Sequence, residues 1–260
     1  MSEEELKRCP FCDEQIRLKA VICKHCGQWL PGYTYESAIR DLVIQKQTTQ
    51  AELAEAPETL SREQRYDIAR NWAKQGKDRS LKGFDLSFQD LAMLDFSGAD
   101  LREANLTEAD LSGANLAEAD LRKANLFRAN LRTANLKQAR LHDAYLREAL
   151  LDYADLTGSK LPRANLHGAV LAHAVLYRVD LDGVNLRAAD LRQANLKESY
   201  LRGTDLTNVK TEGMILKGAL MVGTNWTDSD LTSFQFKQAR IIEATILPNG
   251  ETFTKESSDQ

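Results

Sequence analysis

The sequence predicts a mainly β solenoid with a small metal-binding module in front of it. Two observations predict the solenoid: an apolar residue recurs at every fifth position from Leu86 to Ile246, and a small residue precedes it by two positions. A third observation predicts the metal-binding module, because all four cysteines of the 260-residue chain fall within residues 9–26.

The five-residue period is nearly unbroken. If the apolar residue is called i, the interval from Leu86 to Ile246 contains 33 such positions, of which 26 are Leu and six are Phe, Met, Trp or Ile. Position i−2 is Ala in most repeats, and Ser, Thr or Val in eight more. Thr211 is the one polar residue at position i, and the sequence leaves open whether a bound water or a bulge would satisfy its hydroxyl group.

A period of five excludes both regular secondary structures. In an α-helix each step of five residues rotates the side chain by about 140°, so the leucines would be spread around every face. In a straight strand an odd period would place successive leucines on opposite faces. Asn and Asp recur at i−1 through residues 99–136 and favour turns over helix interiors. The remaining solution is a chain that bends after each short extended piece, so that four five-residue pieces form one square coil with every Leu inside.

The run that begins ADLRE-ANLTE-ADLSG at Ala99 resembles the pentapeptide-repeat family, whose consensus is A-(D/N)-L-x-x. The resemblance covers residues 84–246 and implies a right-handed quadrilateral β-helix of about eight coils, which at the usual strand spacing would be about 40 Å long. We assign residues 81–250 to this solenoid, since Pro248-Asn249-Gly250 is a strong turn signal. Residues 251–260 are expected to form a disordered tail.

The cysteines form two C-x-x-C pairs, Cys9 with Cys12 and Cys23 with Cys26, separated by ten residues. Four thiolates on two tight turns provide the tetrahedral sulfur set that Zn²⁺ prefers. The segment resembles short bacterial zinc ribbons, which implies a ribbon over residues 1–32 that holds one structural Zn²⁺. Rubredoxin-like iron binding and redox-active thiols are the alternatives.

Residues 33–80 are expected to form a helical linker and an N-terminal cap for the solenoid. Residues 35–54 carry an imperfect apolar stripe, and Ser61-Arg-Glu-Gln64 fits a capping box at the start of a second helix that ends at Gly76. Tyr66, Ala69 and Trp72 of the second helix could pack on the first coil. The alternative is that this helix binds a partner.

The sequence does not predict an enzyme. A coil filled with Leu and Ala has no interior cavity, and no Gly-rich phosphate loop, nucleophile elbow or His-based triad is present, so we expect no small-molecule substrate. The net charge is −4, and residues 81–250 hold 22 acidic and 20 basic side chains, so direct nucleic-acid binding is not favoured. We found neither a secretory signal nor a stretch of about 18 apolar residues, which predicts a cytoplasmic protein that does not bind membranes.

An outward-facing apolar patch is the best candidate for a partner site. Position i−1 stops being polar in the middle of the rod, and aromatic residues lie near it; the candidate partner-binding residues are Tyr145, Leu150, Tyr153, Val170, Val175 and Tyr177. A contiguous apolar patch on a polar rod is typical of an interaction site. The alternative is decay of the repeat without functional consequence.

Three non-catalytic functions follow from these features. The first is a scaffold that binds a protein partner through the solenoid surface, with the zinc module used for recruitment or anchoring. The second is implied by the family resemblance: some members mimic the shape and charge of DNA and bind DNA gyrase, although the nearly balanced charge of this rod counts against that function. The third is binding to nucleic-acid machinery through the zinc ribbon.

Overall fold

The structure is a computed structural model that describes residues 6–8, 15–17, 60–75 and 80–253. The chain divides into two compact units, Met1–Leu60 and Ser61–Gln260, so the predicted linker 33–80 is divided between them. In the first unit, strands β1 (Leu6–Arg8) and β2 (Gln15–Arg17) pair antiparallel. The predicted helix at 35–54, the predicted helix end at Gly76 and all four cysteines lie outside the described residues.

The second unit begins with helix α1 (Arg62–Asn71), which continues as a 3₁₀ turn over Trp72–Gln75. The predicted capping box is confirmed, because the Ser61 hydroxyl accepts from the Gln64 amide and the Gln64 side chain accepts from the Ser61 amide. Ala69 and Trp72 are buried, and the Trp72 ring lies 6.3 Å from the Phe96 ring of the first coil.

The solenoid is confirmed, and each of its coils consists of four pentapeptides. Residues 20 positions apart form parallel bridges from Asp85↔Asn105 to Asp205↔Asn225, and the bridges fall into four columns, one for each side of the coil. We call these sides 1 to 4; their columns begin at Asp85, Asp90, Asp95 and Asp100. In the part of the chain that the structure describes, each column contains seven to nine stacked residues, one from each coil, in agreement with about eight coils. The right-handed sense of the coil stays a prediction.

Backbone hydrogen bonds explain why the leucines point inward. From Leu86 to Leu206, the amide of each residue i donates to the carbonyl of residue i+19 in the next coil, as from Leu151 to Val170 (2.7 Å). The residue at i+2 has positive φ at nearly every corner, and the i+3 amide donates back to the carbonyl of i, as from Ala154 to Leu151 (3.0 Å). The chain therefore turns after each Leu, and both Leu151 and the Ala149 beside it are fully buried.

The last coil departs from the predicted register. Leu220 pairs with Ile241 and Asn225 with Ile246, a spacing of 21 instead of 20, because one extra residue lies between Asp228 and Gln238. The short helix α2 (Ser233–Phe236) occupies this interval. The expectation that Phe236 and Ile246 point into the core is wrong: both are half-buried, and Gln235 and Thr245 take the buried positions.

Short strand pairings close the solenoid. Strand β3 (Leu220–Val222) pairs in parallel with β4 (Ile241–Glu243), and β5 (Thr245–Ile246) pairs antiparallel with β6 (Thr252–Phe253). Phe253 packs edge-on against Phe236, with ring centroids 5.3 Å apart. The predicted boundary at residue 250 is therefore wrong for residues 251–253, which belong to the final hairpin and not to a tail; residues 254–260 lie outside the described residues.

The polar groups of Thr211 are satisfied by side chains at the end of the coil. The next coil should offer a backbone carbonyl to the Thr211 amide, but the Asp230 carboxylate takes its place and accepts from both the amide and the hydroxyl of Thr211, each at 2.6 Å. The Gln235 side chain donates to the Thr211 carbonyl at 2.6 Å. A buried threonine is tolerated here because these side chains provide partners for its amide, its hydroxyl and its carbonyl.

We expect Asp230→Ala to lower the free energy of unfolding by about 1–3 kcal/mol, because it leaves two buried donors of Thr211 without an acceptor. Asp230→Asn keeps one oxygen at the same place and should cost clearly less. Urea unfolding followed by circular dichroism compares the two variants. Equal stability of the two variants would show that the contact contributes little.

Candidate functional site

Two of the predicted partner residues lie directly above one another on side 2. Leu150 and Val170 form a parallel bridge, and both side chains are half-buried. Asn130 lies in the coil below and Asp190 in the coil above, so the apolar part of this column is two coils high. At the usual strand spacing this corresponds to about 10 Å along the rod.

An aromatic pair borders these residues at the corner between sides 2 and 3. The rings of Tyr153 and His173 stack with centroids 4.6 Å apart and an interplanar angle of 3°. Both residues occupy the i+2 position of their turns with φ near 60°, and their amides donate into the next coil, to Ala172 and Arg192. Tyr153 is 59% exposed. We call Leu150, Tyr153, Val170 and His173 the side-2 patch.

The charged groups around the side-2 patch are paired with one another. Arg132 contacts Asp152 at 2.9 Å and Arg192 contacts Asp190 at 2.6 Å. On the neighbouring corner Arg128 contacts Glu148 at 2.7 Å. The patch is therefore an apolar area within a rim of neutralised ion pairs.

The other predicted partner residues do not join this patch. Val175 and Tyr177 lie on side 3, where the Tyr177 hydroxyl donates to Glu198 at 3.1 Å and Arg178 lies 4.9 Å from the ring centroid. Tyr145 lies on side 1, where its ring packs at 6.1 Å from that of Phe127. Charges cover Tyr177 and an aromatic neighbour partly covers Tyr145, so the side-2 patch is the part of the predicted surface that the fold assembles.

Ion pairing lowers the pKa of several carboxyl groups along the rod. A side-chain hydrogen bond from Arg192 holds the pKa of Asp190 below its ordinary value, and Arg163 has the same effect on the pKa of Asp143. The Arg102 guanidinium depresses the pKa of Asp100 more strongly. These carboxylates of the repeat are thus neutralised by arginines one turn or one coil away.

The described residues do not include the predicted metal ligands. Residues 9–14, which contain the first C-x-x-C pair, join β1 to β2 in the sequence, and the cysteines themselves lie outside the described residues. Within residues 60–75 and 80–253, no group of three or more His, Cys, Asp or Glu side chains is placed to hold a metal ion. The described residues likewise include no helix long and apolar enough to cross a membrane.

Comparison with known proteins agrees with this geometry. The family model for pentapeptide repeats matches eight copies in five overlapping segments, residues 80–116, 95–132, 114–152, 149–187 and 185–210, which together cover half of the chain. The chain belongs to the pentapeptide-repeat family. A search of curated proteins found no match.

Several solved pentapeptide-repeat proteins are similar to this one. HetL, which is involved in heterocyst differentiation regulation in the cyanobacterium Nostoc sp. strain PCC 7120, is 33% identical over 67% of this chain and 87% of its own, with a TM-score of 0.40. A trypsin-treated form of QnrB1, a plasmid-mediated fluoroquinolone resistance protein, is 16% identical over 62% of this chain and 88% of its own, with a TM-score of 0.33. A protein from the thylakoid lumen of Arabidopsis thaliana is 23% identical over 64% of this chain and 85% of its own, with a TM-score of 0.20.

Sequence reasoning missed the most exposed apolar side chains of this pentapeptide-repeat protein. Phe88 and Met93 in the first coil are 62% and 79% exposed, and Phe234 in α2 is 75% exposed. Phe88 and Met93 occupy the i+2 position at corners of the coil. A large apolar residue at this outward position is the feature of the sequence that could have identified them. Phe234 falls at position i−2 of the apolar period, which points inward elsewhere in the solenoid, and the extra residue in the last coil places it on the surface instead.

We expect the solenoid to lose stability in acid. Asp143 and Asp190, which are paired with Arg163 and Arg192, have folded-state pKa values below the ordinary Asp value of 3.8, so the unfolded chain binds protons first at these groups as the pH falls. The stabilisation should be complete above about pH 5 and should decline below about pH 4. Thermal unfolding between pH 7 and pH 3 measures this decline.

The matched control is the double variant Arg163→Gln and Arg192→Gln. Without these guanidinium groups the pKa values of Asp143 and Asp190 return towards normal, so stability should depend less on pH below pH 4. The same decline in the variant and in the natural protein would contradict the assignment of acid sensitivity to these ion pairs.

Proposed function

We propose that this pentapeptide-repeat protein is a non-catalytic interaction protein that binds a protein partner through the side-2 patch. The observation that carries the proposal is the assembly of Leu150, Val170 and the stacked Tyr153–His173 pair on one side of the rod, within a rim of paired charges. An amphipathic aromatic ring beside aliphatic side chains is the usual composition of an interface centre.

The electrostatics of the rod favour a protein surface over nucleic acid. Binding to phosphates requires basic side chains that are free to release counterions, whereas Arg102, Arg122, Arg163 and Arg178 each contact a carboxylate at 2.8 Å or less. Apolar burial therefore has to provide most of the binding free energy, and the balanced charges provide little long-range steering.

The same pairing counts against DNA mimicry. A mimic of DNA must present unpaired negative charge along its length, but Asp100, Asp120 and Asp190 are hydrogen-bonded to the arginines two residues further on. The rod carries 22 acidic and 20 basic side chains over residues 81–250. A gyrase-binding function has no specific support in this geometry.

We expect Leu150→Asp with Val170→Asp to abolish partner binding and to leave the fold intact. Asp is the ordinary residue at i−1 in the same column, at Asp90, Asp110 and Asp190, so the substitutions restore the repeat consensus while they destroy the apolar patch. An affinity pull-down from the native cytosol with the full-length, zinc-loaded protein as bait measures the effect.

The matched control is Asn165→Asp with Asn185→Asp, which adds the same charge at i−1 in two adjacent coils of side 1. This variant should recover the same partner as the natural protein. Undiminished recovery by the side-2 variant would exclude the patch as the binding site.

We also propose that α1 caps the N-terminal edge of the solenoid. The first coil has backbone carbonyls that no preceding coil can pair, and side chains of α1 reach two of them. Arg62 donates to the Ser87 carbonyl, and the Tyr66 hydroxyl donates to the Asp90 carbonyl at 3.0 Å. Together with the contact between Trp72 and Phe96, these bonds cover an edge that would otherwise pair with another chain.

We further propose that Cys9, Cys12, Cys23 and Cys26 hold one structural Zn²⁺. The antiparallel register of β1 and β2 pairs Arg8 with Gln15, and the six residues 9–14, which include the first C-x-x-C pair, lie between the two strands in the sequence. Four thiolates suit tetrahedral Zn²⁺. Because the ligands must be reduced, the site also favours a cytoplasmic location.

We expect the purified protein to contain one zinc ion per chain and the variant Cys23→Ser with Cys26→Ser to contain none. Elemental analysis by plasma mass spectrometry measures zinc and iron in the same sample. A full equivalent of iron, or zinc content that does not change in the double variant, would contradict the assignment.

A further inference from the structure

The C-terminal end of the solenoid has backbone donors that the next coil would normally satisfy. In the coil below, the Gln193 amide donates to the Glu212 carbonyl at 2.8 Å and the Leu196 amide donates to the Ile215 carbonyl at 2.9 Å. The equivalent donors one coil higher are the amides of Gly213 and Leu216. The chain that should cover them turns into α2 instead.

The last coil provides hydrogen-bond partners for some of the backbone groups at this edge and not for others. Asp230 and Gln235 bind the polar groups of Thr211, and the Gly218 amide donates to Gln238 at 2.9 Å. The amides of Gly213 and Leu216 have no hydrogen-bond acceptor among the residues that the structure describes. Two backbone donors within four residues are thus left without a protein acceptor at one edge of the sheet.

An apolar depression lies beside these donors. It has a volume of about 550 Å³, and its walls include Gly213, Ile215 and Phe234. Ile215 is 44% exposed and Phe234 is 75% exposed. Edge donors next to exposed apolar side chains are the combination that binds an extended peptide by strand addition.

We propose that this depression binds an extended segment of another protein that carries no acidic side chain. Backbone carbonyls of the segment accept hydrogen bonds from the amides of Gly213 and Leu216, and an apolar side chain packs between Ile215 and Phe234. The carboxylates of Glu212 and Asp230 line the same depression, so an acidic side chain or a terminal carboxylate is repelled and an internal segment is favoured.

Residues 254–260 of this chain do not fit the site. Residues 254–260 are Thr, Lys, Glu, Ser, Ser, Asp and Gln, and none of them has an aliphatic or aromatic side chain to place against Phe234. The site is also separate from the side-2 patch, because it is built by residues 212–238 at the end of the rod. The two binding sites can therefore be tested independently.

The experiment is selection of random octapeptides displayed on phage against the full-length, zinc-loaded protein. We expect enrichment of peptides that lack acidic residues and contain a large aliphatic or aromatic residue. A synthetic copy of an enriched peptide, acetylated and amidated at its ends, should bind the variant Ile215→Asp with Phe234→Asp at least tenfold more weakly. Ile215 occupies position i−1, where Asp is a consensus residue, and Phe234 lies on the exposed face of α2. The variant should therefore fold.

Two control variants make the result specific. Phe88→Asp removes a similarly exposed aromatic side chain at the other end of the rod and should bind the peptide as the natural protein does. The side-2 variant Leu150→Asp with Val170→Asp should also bind it unchanged. Loss of peptide binding in the side-2 variant would place the peptide on the other surface and overturn the proposal.

Amide hydrogen exchange measured by NMR locates the contact directly. Exchange of the Gly213 and Leu216 amides should slow when the peptide binds. The proposal is overturned if no peptide is enriched, if enriched peptides are acidic, or if these two amides exchange at an unchanged rate. It is also overturned if the protein sediments as a dimer that Phe234→Asp converts to a monomer, because the end would then be a self-association face.

Discussion

The parallel pairing of each residue with its counterpart in the next coil is the constraint on which the rest of the structure depends. It holds the amides of the central residues from Leu86 to Leu206 against the next coil, as in the 2.7 Å bond from Leu131 to Leu150, and so fixes the Leu and Ala columns inside the rod. The same pairing stacks like side chains outside. The Asn135 side-chain amide donates to Asn115, and that of Asn115 donates to Asp95, at 2.9 and 2.8 Å.

This stacking also explains how the solenoid can form apolar surface patches without a cavity. A change at a single i−1 position alters one point on a side, but changes at equivalent positions of adjacent coils accumulate into a surface. Leu150 and Val170 are such a pair, and Tyr153 and His173 repeat the effect at the adjacent corner. The ends of the rod are different, because there the ladder stops and side chains such as Asp230 and Gln235 replace the missing backbone partners.

The body of the solenoid and its side surfaces could be predicted from the sequence, because a period of five combined with four pieces per coil assigns every residue to a side. The corners could not be predicted to the same degree. A positive φ is usually a property of glycine or asparagine, yet Tyr153 and His173 adopt it. The backbone hydrogen bonds on either side of each corner hold the turn in this conformation. The prediction for the last coil is wrong beyond Leu231. The apolar period continues through Phe236 and Ile246, so the sequence contains no sign of the extra residue that places Gln235 and Thr245 inside.

The claim that side 2 is the interaction surface is tested most directly by site-specific photo-cross-linking in the native cell. Benzoylphenylalanine replaces Tyr153 in one sample and Tyr200 in another, since both tyrosines are exposed and Tyr200 lies on side 4. The account predicts that the probe at position 153 forms a discrete adduct with one protein and that the probe at position 200 does not. An adduct formed only from position 200, or the same adducts from both positions, would contradict it.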